Sequence, residues 1–213
     1  MSPLGVGRVA LMAAAAGGAV TPGDEWEQLA YNIVSSSSVA SVGFTSAGSS
    51  SSWEKYDHLC FFSQCHTTYG VGNISLEFQV NGLTGTVYNS SYMMVSTGNT
   101  DGGSNWAGTA EAFGAAGEMS GHAGANTNAR GVNHTFFYNI NSEFYKNYMT
   151  DAQQSPGYGG PGTGRQQRHG QVFGTISTTD PIESVSFATY RNSSSGAIKE
   201  WSEFYLYGIG APE

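Results

Sequence analysis

Residues 73–82, NISLEFQVNG, alternate without a break: Ile74, Leu76, Phe78 and Val80 are apolar, and Asn73, Ser75, Glu77 and Gln79 are polar. A period of two matches the pleat of a β-strand, in which successive side chains point to opposite faces. The segment is therefore expected to be a strand with one buried and one wet face. Asn81-Gly82 at its end is the commonest dipeptide for a tight hairpin turn, so residues 86–95 are expected to return as its partner strand.

The rest of the chain supports the same class. Among 213 residues there are 30 glycines, 13% aromatic residues and only 11% charged residues. Aromatic and β-branched residues fill the buried face of short strands, while Gly, Ser and Asn supply turns. Strands are expected at 26–34, 39–45, 56–68, 134–140, 182–190 and 203–209, with a helical turn or irregular strand at 142–149. The first two are joined by a hairpin or a short crossover. Seven or eight strands of this kind make an all-β, two-sheet antiparallel β-sandwich the natural architecture. Residues 96–132 and 151–170 are rich in Gly, Ala, Asn, Ser and Gln and read as two long loops.

Residues 24–213 form one domain in this reading, preceded by an extended arm at 1–23. The apolar run Val9–Val20 is too short to span a bilayer, and it consists mostly of Ala and Gly with Arg8 as its only basic neighbour. It reads as an arm that gains order on a partner, with Leu4, Val6, Val9 and Leu11 as candidate contacts.

The formal charge of −8 argues against nucleic acid, whose affinity for proteins comes chiefly from clustered Lys and Arg. Cys60 and Cys65 fall in one expected strand, where five residues span about 16 Å, too far for a disulfide. No Gly-x-Ser-x-Gly elbow is present, and His58, His66, His122, His134 and His169 lack the paired spacing of metal ligands. No catalytic, cofactor or metal site is expected.

Four segments in order, WEQLAYNIVSSSSVASVGFTS (26–46), EKYDHLCFFSQC (54–65), ISLEFQVNGLTGTVYNSSYMM (74–94) and IESVSFATYRNSSSGAIKEWSEFYLYGIG (182–210), make the chain resemble a family of small structural proteins of tailed bacteriophages. The most specific elements are Tyr-x-His-Leu at 56–59, Phe-x-Val-Asn-Gly-x-Thr-Gly-x-x-Tyr at 78–88 and Leu-Tyr-Gly-Ile at 206–209. Leu83 stands where that family usually has an acidic residue. The resemblance implies a jelly-roll or lectin-like sandwich located in the virion and no catalytic site. A capsid decoration subunit, attached to other virion proteins through its arm and assembled as a homotrimer, is the leading expectation. The alternative is a tail fibre component that binds a host surface glycan, with Trp106 or Tyr158 on the long loops stacking on a sugar ring.

Overall fold

A computed structural model describes residues 26–68, 73–96, 104–120, 130–158, 165–189 and 196–210. The arm with Leu4, Val6, Val9 and Leu11 lies outside them. Twelve strands occur among the described residues: β1 (Trp26–Ile33), β2 (Ser41–Thr45), β3 (His58–Cys65), β4 (Asn73–Val80), β5 (Tyr88–Ser96), β6 (Ser104–Glu111), β7 (Gly114–Ser120), β8 (Gly131–Tyr138), β9 (Lys146–Tyr158), β10 (Arg165–Ile176), β11 (Ser184–Ala188) and β12 (Glu203–Ile209). They pair antiparallel in an eight-stranded sheet, β1-β12-β3-β8-β9-β10-β5-β6, and a four-stranded sheet, β2-β11-β4-β7. The protein is a two-sheet β-sandwich, as the alternation of residues 73–80 requires, with more strands than the seven or eight expected. No helix of the described residues is long and apolar enough to cross a membrane.

Ile74, Leu76, Phe78 and Val80 are all buried, as their spacing dictates. Phe78 is the hub of the core. Its ring meets Phe137 and Tyr148 of the large sheet at centroid distances of 4.8 and 4.8 Å, and Tyr88 at 5.8 Å, all nearly edge-on. Phe61 makes the second inter-sheet contact, with Phe44 at 5.5 Å and Phe187 at 5.1 Å. Edge-to-face pairs at such distances add stability beyond the area they bury. Glu77, expected on the wet face, is buried, beside Ala188 of β11 and Ala115 of β7.

The expected hairpin at Asn81-Gly82 does not form. The turn geometry is present, with φ of 49° at Asn81 and 66° at Gly82, and Leu83 N donates to Val80 O at 2.9 Å. The second bond of a two-residue hairpin is replaced by a side chain. The Tyr88 hydroxyl accepts from Val80 N at 2.9 Å and donates to Leu83 O at 3.2 Å. The Asn81 amide meanwhile holds the approach to β11: its oxygen accepts from Glu183 N and Ser184 N, and its nitrogen donates to Pro181 O. β4 is thereby tied to β11, and the chain crosses to the large sheet, where β5 pairs with β10 and β6. β1 and β2 are likewise in different sheets, which decides for the crossover.

Neither long stretch is a loop. β6, β7 and the first residues of β8 occupy much of 96–132, and β9 and β10 form a long hairpin that takes up most of 151–170. These strands escape recognition because small residues are selected where an aromatic ring crosses the backbone. A Cβ at Gly114 would lie 2.1 Å from the Phe78 ring. Such a strand has no period of large apolar residues. Residues 139–145 form a turn, and β9 begins at Lys146, so the expected element at 142–149 is half turn and half strand.

The motif at 56–59 packs against the motif at 206–209. The Tyr56 ring lies across Gly208, where a Cβ would fall 2.5 Å from it. Tyr56 also donates to Glu27 Oε2 at 2.5 Å, and Ser51 donates to Glu27 Oε1 at 2.9 Å. These bonds, that from Tyr56 foremost, hold the Glu27 carboxyl below its ordinary range. Burial first, then Glu27, raises the Tyr56 phenol. A depressed carboxylate contributes stability above its unfolded value of 4.5 that is lost as the pH falls through the folded value. The melting temperature is therefore expected to drop on acidification below pH 4.5 less steeply in Tyr56→Phe than in the wild type. Parallel pH titrations of thermal unfolding check this, and identical acid limbs would refute the role given to the pair.

Candidate functional site

The face of the large sheet turned away from the small one carries a second aromatic layer. Antiparallel register places Tyr207, Cys60, Phe136, Met149 and Phe173 side by side across five strands. Trp26 packs on Phe62, Phe136 and Tyr207 at 5.8, 5.8 and 6.0 Å. Phe62 lies 4.5 Å from the His134 ring, and Tyr31 stacks on Tyr205 at 6.5 Å. Burial pushes the His134 pKa down despite Asp151 nearby, so at neutral pH the ring joins the layer as a neutral aromatic group. Asp151 is bonded instead to His169 Nε2 at 2.7 Å. Cys60 and Cys65 are buried free thiols; burial raises both, and Cys65 is pushed up to about 12. Neither suits nucleophilic chemistry, which needs an accessible thiolate.

One sector of this layer is open to solvent at the β1 edge. Tyr31 is 64% exposed, Ile33 41% and Trp201 56%. Trp201 lies in the tight turn that leads into β12, with φ of 66°, a left-handed conformation that costs a bulky residue about 1–2 kcal/mol. The surroundings enforce it. Trp201 N donates to Val34 O at 2.5 Å, Lys199 N donates to His66 O at 2.9 Å, and His66 Nε2 bonds the Glu200 carbonyl at 2.7 Å. An exposed indole on a clamped, strained turn is a contact residue with a preorganised backbone, since little backbone freedom is left to lose on binding.

A second sector, on β8, β9, β10 and β5, is a cleft of about 580 Å3. Tyr138, Met149 and Phe173 provide its apolar walls, and Asn89, Asn147 and Thr175 its polar ones. The latter three are consecutive partners across β5, β10 and β9. Asn89 Nδ2 donates to Thr175 Oγ1 at 3.4 Å.

Trp106 and Tyr158 belong to strands, β6 opposite Tyr92 and the end of β9 opposite Arg165, and not to loops. Among the described residues, no three His, Cys, Asp or Glu side chains are grouped as a metal site. Sequence reasoning passed over the outer layer, although a signal for it exists. Phe61-Phe62 and Phe136-Phe137 are adjacent aromatic pairs in strands, and one member of each must face away from the core.

Compared with family models and with curated proteins, the sequence matches none.

Proposed function

We propose that the chain is a non-catalytic structural subunit of a tailed-bacteriophage particle, a capsid decoration protein that attaches to neighbouring virion proteins at the β1 edge of its large sheet. The observation that carries this reading is the exposed group Tyr31, Ile33 and Trp201. Aromatic anchors held rigid at an interface supply most of the binding energy in protein complexes. β1 is also an outer strand of its sheet; Ser50 occupies the Gln28 and Leu29 carbonyls, and the end of the strand at Tyr31 and Ile33 is the part proposed to pair with a partner. In this reading Leu4, Val6, Val9 and Leu11 of the segment 1–23, which precedes this strand in the sequence, are further contacts. The resemblance of residues 26–210 to virion structural proteins supports the location in the particle.

Peptide mass spectrometry and electron cryomicroscopy of the purified phage test the proposal. The chain is expected on the capsid lattice with β1 towards a neighbour. In particles assembled with Trp201→Asn, occupancy falls while the isolated subunit gains up to about 1 kcal/mol in urea unfolding, because Asn tolerates the left-handed backbone. Absence from the particle overturns the virion reading. Density confined to the tail overturns the decoration role in favour of a tail fibre component, the reading favoured by the cleft.

A further inference from the structure

We infer that the cleft on the outer face of the large sheet is a carbohydrate-binding site for a neutral oligosaccharide. Its near wall, Tyr138 on β8, lies three strand intervals from β1 and Phe173 on β10 lies five, roughly 14 and 24 Å at about 4.8 Å per strand, so attachment at that edge leaves it open. The inference stands apart from the virion reading: absence from the particle would overturn that reading and leave the cleft as it is.

Three features of the cleft select the ligand. Its lining side chains carry no charge at neutral pH, which disfavours phosphate, sulfate and sialic acid, all of which need a cation or a set of inward N–H groups. Its aromatic side chains offer contact surface: Phe173 is 45% exposed, and Tyr138 is half-buried, stacked on Phe136 at 6.2 Å and beside His58 at 5.5 Å. An aromatic ring covers the C–H face of a pyranose as it covers any flat apolar surface, while its π-face attracts the polarised C–H bonds. Asn147 is exposed between them, and Thr175 and Asn89 follow it in one row across adjacent strands. An amide both donates and accepts, and a hydroxyl does so too, which matches the paired hydroxyls of a sugar edge.

The spacing sets the size of the ligand. Tyr138 and Phe173 are separated by two strand intervals and two residues along the strand, roughly 12 Å between backbones. That distance exceeds a single ring, so a chain of sugars is bound better than a monosaccharide. The strands hold these residues at fixed register, so the site is formed before the ligand arrives.

The test is titration of the isotopically labelled full chain, followed by amide NMR. The probes are the tetrasaccharides of β1,4-glucose, α1,4-glucose, β1,4-N-acetylglucosamine and α1,6-mannose, with a sialylated tetrasaccharide as charged control. At least one neutral probe is expected to shift the amides of Asn89, Tyr138, Asn147, Phe173 and Thr175 at millimolar concentration. Phe173→Ala should weaken that binding roughly fivefold to tenfold. Asn147→Ala should weaken it as well, and Tyr31→Ala at the far edge should leave it unchanged. Both cleft variants alter exposed side chains, and an unchanged amide spectrum elsewhere shows that they are folded. No shift with any neutral probe overturns the inference, as does preference for the sialylated one or shifts confined to residues outside the cleft.

Discussion

Phe78→Ala is expected to cost about 3–5 kcal/mol in equilibrium unfolding, because it removes a fully buried ring and leaves a cavity between two rigid sheets. The cavity cannot collapse easily. Phe137 and Tyr148 belong to paired strands of one sheet and Phe187 to the other, and all three lose an aromatic neighbour at once. For a chain of this length the loss corresponds to a fall in melting temperature of roughly 6–20 °C. Phe173→Ala, the same change on the solvent side of the large sheet, should cost well under half as much. Urea or thermal unfolding of the two variants side by side checks the contrast. Equal losses would mean that the outer layer, and not the interface between the sheets, carries the stability.

Lys146→Met is the second large effect, at about 2–3 kcal/mol. The Lys146 side chain is buried, and its ammonium donates to three backbone carbonyls, those of Ser142, Phe144 (3.0 Å) and Thr179 (3.3 Å). It thus acts as an internal cation that closes the 139–145 turn and fastens it to the segment leading to β11. Methionine fills a similar volume and cannot donate, so these carbonyls lose a charge-assisted partner, a bond worth about 1.5–3 kcal/mol. Phe144 and Tyr145, exposed at 80% and 61%, are held on this turn. Hydrogen exchange at residues 142–146 should accelerate in the variant more than exchange in β4. If exchange rises equally everywhere, the lysine contributes only to global stability and does not shape the turn.

The three motifs behind the resemblance to phage structural proteins prove to be framework. Tyr56 closes over Gly208 of the third motif, and Asp57 N donates to Gly210 O at 3.2 Å. In the second motif Phe78 is the core hub, while Asn81 and Tyr88 govern the crossover between the sheets. The surfaces proposed for attachment and for sugar binding are made of other residues, Tyr31, Ile33 and Trp201 at one edge and Tyr138, Asn147 and Phe173 across the middle.

Strand period was legible where large apolar residues alternate, as in β4, because the pleat is a property of each residue and its immediate neighbours, and β8 and β12 were legible from their aromatic-rich runs. The all-β class, the two-sheet sandwich and the burial of Ile74, Leu76, Phe78 and Val80 all follow from that local rule. Sheet membership does not, since it depends on partners far apart in the chain. Asn81-Gly82 specifies a turn, yet the Tyr88 hydroxyl and the 181–184 segment decide that the turn leads to the other sheet. β7 and much of β10 were hidden for a related reason, because Gly114, Gly170 and Gly174 are complementary to the rings of Phe78, Tyr92 and Tyr148 from other strands. The outer aromatic layer has the same origin. Trp26, Phe62, Phe136 and Tyr207 come from four separate stretches of sequence, and only the order β1-β12-β3-β8 brings them onto one surface.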